Sequence, residues 1–354
     1  MNWTKKLYDI ALVFSSVLMA LLFAEFIVGS FFPQNLNGTW VIEHNSGLAL
    51  NKTTGTSRAQ FGERVVSYHF GEYHNRKTEK QDSLQKGMPK LLVLGDSFTL
   101  GVYLSDGKTY ADKLQEHFQN EYEIINAAVG GWGASDYTKY VEIFCDKIKP
   151  EQILIYLSFG DIDRTLISSL YTVNDEGQIE TRFVNKKNKL KILLNSYPFY
   201  QFLLEHSHLL QVARRAYLRL FNVGARVKNN VGTRVKNRSS EDFTKSLMLG
   251  KKLFLKMKND AKQCGAELKV FNIAWEGVVL NPVLDDHTMH FLRETNEEEF
   301  FSENGITFFD LTNTKAMEEV IDNKIKFIIP KDEHPNELGA ERIFLATLES
   351  LNSQ

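Results

Sequence analysis

The stretch Lys90-Leu-Leu-Val-Leu-Gly-Asp-Ser-Phe-Thr99 decides the fold of this chain. Its first half is a short, continuous apolar run that ends in glycine, which is typical of a parallel strand buried on both faces. The polar residues that follow begin a loop at the carboxyl end of that strand. Since parallel sheets bind their ligands at this edge, Ser97 is placed where a substrate can reach it.

Four further apolar runs predict the other strands of the same sheet. Segments with helical spacing separate them, and this alternation favours a parallel sheet covered by helices on both faces. We therefore expect an α/β fold, a three-layer α/β/α sandwich with a parallel five-stranded sheet of flavodoxin-like style. The predicted strands are 90–95, 123–126, 152–157, 268–273 and 306–310, and the main predicted helices are 110–118, 135–148, 241–264 and 336–351.

The N-terminal region, residues 1–33, has the composition of a membrane anchor. Lys5 and Lys6 precede an apolar or small-residue run over 10–32 that only Glu25 interrupts. As a helix, this run would be roughly 35 Å long and would span a bilayer with some tilt. The two lysines predict a cytoplasmic N-terminus and an extracytoplasmic C-terminal domain. A cleaved signal peptide and a buried helix of a soluble protein are the alternatives.

Two segments fall outside the pattern of alternating strands and helices. Residues 34–89 are polar and rich in Asn, Thr, Gly and Lys, so we expect a linker or N-terminal extension with one or two short strands, such as 64–70. An insertion at about 164–240 contains a helical pattern over 190–221 and then a tandem octapeptide, 223–238, which we expect to be a mobile loop.

The insertion is strongly basic. Residues 181–238 contain thirteen lysine or arginine residues and a single acidic residue, Glu205. One interpretation is a solvated helical face followed by a flexible loop. The other is a lid or a docking surface for an anionic lipid headgroup or an acidic polysaccharide.

The overall composition excludes several classes of protein. A net charge of -2 is not that of a nucleic-acid binder. Cys145 and Cys264 are far apart and form no CxxC or Cys/His cluster, so we expect no metal site and no cofactor. We favour free buried thiols for these cysteines, and a disulfide is the alternative if the domain is extracytoplasmic. The histidine pairs His206/His208 and His287/His290 have no convincing carboxylate or cysteine partner.

Ser97 is the candidate nucleophile, and His334 is its candidate base. A serine hydroxyl is a poor nucleophile unless a base lies beside it. Among nine histidines, His334 has the best context, because Asp332 is close enough to orient its imidazole. Pro335 and Asn336 fit the start of the last predicted helix.

The motifs, taken in order, resemble the SGNH (GDSL-like) hydrolase family. The first block is Gly95-Asp-Ser-Phe-Thr99, the second is Asn126-Ala-Ala-Val-Gly-Gly-Trp-Gly133, and the last is Asp332-Glu-His-Pro-Asn336. Residues around them are similar to a membrane-anchored bacterial-type branch of that family. The resemblance covers about 90–157, 306–354 and the anchor, but it does not cover the basic insertion. It implies a hydrolase domain over 90–354.

The resemblance also implies roles for individual residues. Ser97 would be the nucleophile, His334 the general base, and Asp332 the residue that orients His334. The backbone N–H groups of Ser97 and Gly131 would stabilise the oxyanion. Many family members place the acid three residues before the histidine, where this chain has Lys331, so Asp332 is the better candidate.

The third block departs from the family pattern. An Asn-Asp pair is expected after the third strand, with the Asn side chain donating to the oxyanion, but this chain has Gly160 and Asp161. Losing one oxyanion donor typically costs about 3 kcal/mol of transition-state stabilisation. Either another donor such as Ser158 substitutes, or the enzyme is slow, or the fold has lost catalysis.

Other residues near these blocks are candidates for the pocket. Asp96 is expected to bond backbone N–H groups rather than to act as a catalytic acid. Trp132 is expected either to line the pocket or to fill the core, and Asp161 falls on the family's aspartate position.

These observations predict a serine esterase at the cell envelope that hydrolyses an acyl or acetyl ester through a Ser-His-Asp acyl-enzyme mechanism. The expected partner is an ester-bearing small molecule, lipid or glycan, and the expected location is single-pass in the membrane with the catalytic domain in the periplasm or on the cell surface. Two alternatives stay open. One is an O-acyltransferase or O-acetylesterase acting on an envelope polysaccharide, and the other is a catalytically dead binding module.

Overall fold

The computed structural model describes residues 3–158, 160–174, 176–182, 194, 197–220, 240–273 and 297–353. The chain divides into two compact units. The N-terminal unit comprises Met1–Thr39, Ser57–Val66 and Asn188–Asn229. The sheet unit comprises Trp40–Thr56, Ser67–Lys187 and Asn230–Gln354.

The elements follow one another as expected for an α/β chain. The helices are α1 (Trp3–Phe31), α2 (Ser97–Leu100), α3 (Tyr110–His117), α4 (Ala134–Ile148), α5 (Asp161–Ile167), α6 (Pro198–His206), α7 (His208–Leu220), α8 (Ser240–Gln263), α9 (Glu297–Glu303), α10 (Lys315–Asp322) and α11 (Glu337–Leu351). The strands are β1 (Val41–Glu43), β2 (Ala49–Asn51), β3 (Thr56–Phe61), β4 (Arg64–His69), β5 (Lys90–Leu94), β6 (Glu123–Asn126), β7 (Gln152–Leu157), β8 (Tyr171–Val173), β9 (Ile179–Thr181), β10 (Glu267–Asn272) and β11 (Thr307–Asp310).

The sheet unit is built on five parallel strands in the order β11-β10-β7-β5-β6. The five runs chosen from the sequence are these strands, so the predicted fold class is confirmed. The first strand of this sheet along the chain is β5. The next strand, β6, lies on one side of it, and the chain then crosses to β7 on the other side. Parallel sheets bind ligands at such a switch point, beyond the carboxyl ends of the strands.

The two faces of the sheet are buried by different helices. Along β5, Leu92 and Leu94 pack into one hydrophobic cluster, and Leu91 and Val93 pack into the other, as the two-residue period of a strand requires. The first cluster includes side chains of α4 and α8, and the second includes side chains of α3, α10 and α11. Burial of each large aliphatic side chain contributes about 1.5–3 kcal/mol, so these layers hold the sheet together.

Cys145 on α4 and Cys264, directly after α8, form a disulfide with a Cα–Cα distance of 5.9 Å. The favoured expectation of free thiols was therefore wrong. The physical reason is that α4 and α8 pack side by side on the same face of the sheet, which brings together cysteines that are distant in sequence.

Much of the expected linker is folded structure. Residues 34–89 contain the strands β1 to β4, and both 40–56 and 67–89 belong to the sheet unit. Arg76 is buried in that unit, where its guanidinium donates to the carbonyl oxygens of Leu100, Gly101 and Leu104. The polar composition suggested a linker because the groups that stabilise this segment are themselves polar.

The expected insertion is also more structured than predicted. It begins with α5 and the antiparallel pair β8–β9, and the described residues within the helical pattern over 190–221 include two helices, α6 and α7, that are separated at Ser207. Ser207 has an extended backbone, with φ -114° and ψ 115°. The octapeptide repeat at 223–238 and the pair His287/His290 lie outside the described residues.

Candidate active site

The nucleophile candidate lies on a tight turn between β5 and α2. Asp96 caps α2, because its carboxylate accepts the backbone N–H of Phe98 at 2.9 Å, and Ser97 is the first residue of the helix. Gly95 is needed for this turn. A Cβ there would lie 1.8 Å from the hydroxyl oxygen of Thr99, so any side chain would displace the start of α2. The turn holds Ser97 at the carboxyl end of the sheet.

Ser97, His334 and Asp332 form a continuous chain of side-chain contacts. The Nε2 atom of His334 is 2.9 Å from the hydroxyl oxygen of Ser97, and its Nδ1 atom is 2.5 Å from Oδ1 of Asp332. In this geometry the imidazole donates its Nδ1 proton to the carboxylate and presents Nε2 to the serine hydroxyl. The arrangement is that of a serine nucleophile with its base and an orienting acid.

A short turn after α10 brings the side chains of Asp332 and His334 into contact. The carbonyl oxygen of Ile329 accepts the N–H groups of Asp332 and Glu333, and the Ile329 N–H donates to the carbonyl oxygen of His334. Lys331 and Glu333 have φ angles of 69° and 75°, in the left-handed region. Non-glycine residues there cost about 1–2 kcal/mol each, so the turn holds this pair at the expense of backbone strain.

The residue after this turn fixes the closing helix. Asn336 caps α11, since its side-chain oxygen accepts the N–H groups of Leu338 and Gly339, both at 3.0 Å. Its amide also donates to the carbonyl oxygens of Lys326 and Ile328. The Pro-Asn pair is therefore a helix start, and it ties the His334 turn to the helix behind it.

The glycines of the second block lie beside the nucleophile turn. Gly131 is exposed with φ +84°, and no atom lies within 4 Å of the position its Cβ would take. The neighbouring Gly130 approaches Ser97, whose Cβ is 3.6 Å from the ideal Cβ of Gly130. Within the described part of the chain, the N–H groups of Ser97 and Gly131 donate to no protein acceptor. Both groups are therefore available as donors, and their role in stabilising an oxyanion stays a prediction.

The second block acts structurally as well. The side-chain amide of Asn126 donates to the carbonyl oxygen of Thr99 at 2.9 Å, which ties the end of β6 to the nucleophile turn. Trp132 is buried, donates its indole N–H to the carbonyl oxygen of Ala49, and packs on Tyr140. Of the two placements considered for Trp132, the structure places it in the core.

The third block has a glycine conformation. Gly160 precedes α5 with φ +80° and ψ -3°, in the left-handed region that favours glycine. Ser158, the candidate substitute donor, is buried. Its hydroxyl lies 3.2 Å from Oδ1 of Asp161, and its N–H donates to Oδ2 of the same carboxylate. Both polar groups of Ser158 are thus engaged by Asp161.

Arg164, a residue that the motif comparison did not single out, joins three of the blocks. Its Nη1 donates to Oδ2 of Asp96 at 2.7 Å, to Oδ1 of Asp161 at 2.8 Å and to the carbonyl oxygen of Trp132 at 3.1 Å. Its Nη2 lies 3.7 Å from the position that a Cβ on Gly160 would take. The sequence signal was an arginine one helical turn after the aspartate of the third block.

This cluster holds two buried carboxylates against one guanidinium. Burial raises the pKa of Asp161 well above its usual range, the nearby Asp96 raises it further, and Arg164 opposes both effects. Burial works against the charge of Arg164, yet the two carboxylates raise its pKa above the ordinary value. Tyr137 also donates its hydroxyl to Asp161. The cluster is therefore buried, with Asp96 and Asp161 as internal partners of Arg164, and the Nε atom of that arginine finds no partner among the described residues.

The described residues do not offer a metal site: among them, no group of three or more His, Cys, Asp or Glu side chains could hold a metal ion.

Among known proteins, this chain resembles solved structures in its fold, but it matches no family model or curated protein in sequence. Among solved structures, the chain is similar to TesA, with 12% identity over 75% of this chain and 98% of that chain and a TM-score of 0.43. It is also similar to the psychrotrophic esterase EstA from Pseudoalteromonas sp., with 10% identity over 75% and 97% and a TM-score of 0.42.

A third similar structure is Axe2, an acetylxylan esterase from Geobacillus stearothermophilus, with 12% identity over 74% of this chain and 94% of that chain and a TM-score of 0.43. At these identities and TM-scores, the likeness does not decide the chemistry of this chain.

Proposed function

We propose that this chain is a membrane-anchored serine ester hydrolase of the SGNH type. The observation that carries the proposal is the contact chain from Ser97 through His334 to Asp332, with Ser97 on a turn at the carboxyl end of the inner strand β5. A hydroxyl, an imidazole and a carboxylate in this order are the parts needed for acyl transfer through a covalent intermediate.

The first half of the reaction forms an acyl-enzyme. Nε2 of His334 takes the proton of Ser97 as the hydroxyl oxygen attacks the ester carbonyl carbon. The carbonyl oxygen becomes an oxyanion, and the N–H groups of Ser97 and Gly131 stabilise it. The C–O bond to the alcohol then breaks, and the protonated His334 returns its proton to the leaving oxygen. Asp332 holds the ring and stabilises its charged form.

The second half releases the acid. A water molecule gives a proton to His334 and attacks the acyl carbon, a second oxyanion forms in the same place, and the Ser97 oxygen leaves with the proton from His334. If a sugar hydroxyl takes the place of that water, the same steps transfer the acyl group to a glycan. The substrate we propose is an acyl or acetyl ester on a small molecule, a lipid or an envelope glycan.

The proposed location is the extracytoplasmic side of a membrane. The support is α1, a helix of 29 residues with none buried, which is long and apolar enough to cross a bilayer. The disulfide between Cys145 and Cys264 fits an oxidising compartment as well, because such bonds are rare in the cytosol.

Kinetics on a short-chain aryl ester test the proposed reaction. Ser97→Ala and His334→Ala should each abolish turnover, and the double variant should be no slower than either single one, since the residues act as a unit. Substantial turnover by Ser97→Ala would refute the assignment. Products analysed with and without an added glycan separate hydrolysis from transfer.

Fractionation tests the proposed location. The protein should pellet with membranes and resist extraction by high salt, and a reporter fused after Gln354 should be active only outside the cytoplasm. A soluble mature protein that begins near residue 31 would show a cleaved signal instead.

A further inference from the structure

Glu25, the one acidic residue in the apolar run of α1, is bonded by the start of α7. Its carboxylate accepts the hydroxyl of Ser207 at 2.7 Å and the backbone N–H groups of His208 and Leu209 at 2.7 and 3.0 Å. A carboxylate at a helix N-terminus satisfies N–H groups that have no partner within the helix and is favoured by the helix dipole. Helix α7 therefore begins at the level of Glu25 on α1.

Further contacts within the N-terminal unit hold α7 to the end of α1. The His208 ring lies against Gly29, where a Cβ would approach Cδ2 of the ring to 3.1 Å. Nδ1 of His208 accepts the backbone N–H of Gln34 at 2.8 Å, and Arg215 donates to the side-chain oxygen of Gln34 at 2.6 Å. The N-terminal half of α7 thus contacts residues on both sides of Phe31, the last residue of α1.

The position of Glu25 along α1 sets a depth in the bilayer. Lys6 and Glu25 are separated by a helical rise of roughly 29 Å, close to the thickness of about 30 Å of a hydrocarbon core. With Lys6 at the cytoplasmic boundary, Glu25 lies at the opposite boundary. The start of α7 and the end of α6, which Ser207 alone separates, lie at this same depth.

The two helices at this depth expose aromatic and basic side chains. On and beside α6, the large aromatic residues Tyr197, Phe199 and Phe202 are exposed, Phe199 to 71%. On α7, Arg215 and Arg219 are exposed and Arg214 is partly exposed. Aromatic rings favour the interface between the hydrocarbon and the headgroups, and arginines there are attracted by anionic lipids.

We propose that α6 and α7 form a platform that lies in the outer interface of the membrane, with anionic phospholipid headgroups as its partner. Glu25 holds the platform at that depth, Phe199 and Phe202 enter the headgroup boundary, and the arginines of α7 bind lipid phosphates. The continuity with the membrane helix and the charge of α7 support a lipid surface as the occupant. The proposal rests on the membrane anchor and not on the esterase reaction, which is assayed separately.

Depth-dependent fluorescence quenching tests the platform in the full-length protein. Phe202→Cys is labelled with an environment-sensitive fluorophore in nanodiscs that carry a nitroxide at a shallow lipid position, while the native cysteines remain in their disulfide. Ile321→Cys, on α10 of the sheet unit, is the control, and Phe199→Cys is a second site on α6. The labels on α6 should be quenched several-fold more than the control and should emit at shorter wavelength.

Two changes test what holds the platform and what attracts it. Glu25→Ala should lower the quenching at Phe202→Cys clearly, although the contacts of His208 and Arg215 remain, and Glu25→Gln should retain more of it, because the amide oxygen still accepts. In discs of neutral lipid alone, or with Arg214, Arg215 and Arg219 all changed to Gln, the quenching should fall.

Three outcomes overturn the proposal. One is a label at position 202 that is quenched no more than the label at position 321. Another is a chain that does not enter nanodiscs, which removes the anchor too. The third is a label that is unaffected by lipid but changes its emission with a soluble anionic polysaccharide, which assigns the basic surface to a glycan. In each case, turnover of a soluble short-chain ester still reports on Ser97 independently.

Discussion

The Nε2 atom of His334 lies 2.9 Å from the hydroxyl oxygen of Ser97, across 237 residues of sequence. The parallel sheet makes this approach possible. Ser97 follows the inner strand β5, and the His334 turn is tied through Asn336 to α11, which packs on one face of the same sheet. Because both elements belong to one compact unit, the contact is a product of the fold and does not require a bound substrate.

Arg164 is expected to position the oxyanion donors without touching the substrate. Arg164→Lys should lower kcat by about a hundredfold with a smaller effect on KM, because the lysine side chain is one bond too short to bring its ammonium to the place of Nη1, the atom that bonds Asp96, Asp161 and the Trp132 carbonyl. Arg342→Lys, a change in a surface ion pair with Glu319, is the control and should leave both constants nearly unchanged.

The Arg164 measurement is made well below the melting temperature of each variant, since the buried carboxylates lose their counter-charge and stability should fall as well. An Arg164→Lys enzyme that is folded at the assay temperature and retains wild-type kcat would show that the arginine is structural only.

Ser158 is expected to contribute little to the reaction rate. Its hydroxyl lies against Asp161, so Ser158→Ala should change kcat by less than about tenfold, below the loss typical of a missing oxyanion donor. Steady-state kinetics together with a thermal melt check this. A larger loss with an unchanged melt would show that Ser158 turns toward the substrate and substitutes for the family's asparagine.

Gly160→Asn is expected to accelerate hydrolysis relative to Gly160→Ala. Both variants place a Cβ in a left-handed backbone with φ +80°, and asparagine tolerates that conformation better than alanine. If the oxyanion has only two backbone donors, the added amide could raise kcat by at most about a hundredfold. Equal rates for the two variants, both folded, would mean that the site is not short of a donor.

Asp136 should make the stability of the fold depend on pH. Burial raises the pKa of this carboxyl to about 7, against a usual value near 3.8, although Gly133 donates its N–H to it. Between these values the folded state binds the proton and the unfolded state does not. The contribution of Asp136 to stability should therefore be complete below about pH 4 and be lost as the pH rises toward 7, by about 4 kcal/mol at most.

Thermal melts of wild type and Asp136→Asn across that range measure the effect of Asp136. The difference in melting temperature between the two proteins should change in favour of Asp136→Asn as the pH rises. A difference that stays constant from pH 4 to pH 7 would rule out the raised pKa.

The disulfide should stabilise the sheet unit strongly, because it closes a loop of 119 residues. In the chain-entropy model such a loop is worth about 4–5 kcal/mol. Cys145→Ser and the double variant with Cys264→Ser should melt at similar, lower temperatures, and wild type should match them when a reductant is present. Wild-type protein that reacts with a thiol reagent after unfolding without reductant would show that the bond is absent.

The sequence predicted the five strands of the sheet because each is a short apolar run between helical segments. It also predicted that Ser97, Asp332 and His334 lie together, and the structure brings them into contact. Residues whose partners are distant in sequence were harder to predict. Arg76 lies in a polar segment that resembled a linker. Its burial depends on the carbonyl oxygens of Leu100 and Gly101, at the end of α2, which accept its N–H groups.

The break between α6 and α7 could not be predicted from the sequence either. The helical pattern is nearly continuous across Ser207. The break depends on Glu25, distant in sequence, which accepts the Ser207 hydroxyl and the first N–H groups of α7. Arg164 is a third case, because its importance comes from Asp96 and Trp132, which are distant in sequence.

The central claim is that Ser97 is an activated nucleophile, and covalent labelling with a fluorophosphonate tests it most directly. The intact full-length protein, treated in detergent, should gain one phosphonyl group, and peptide mass analysis should place it on Ser97. Ser97→Ala should not label, and His334→Ala should label far more slowly, because the base is missing. Wild-type protein that does not react, or that reacts equally well as Ser97→Ala, would contradict the account and favour a binding module with the same fold.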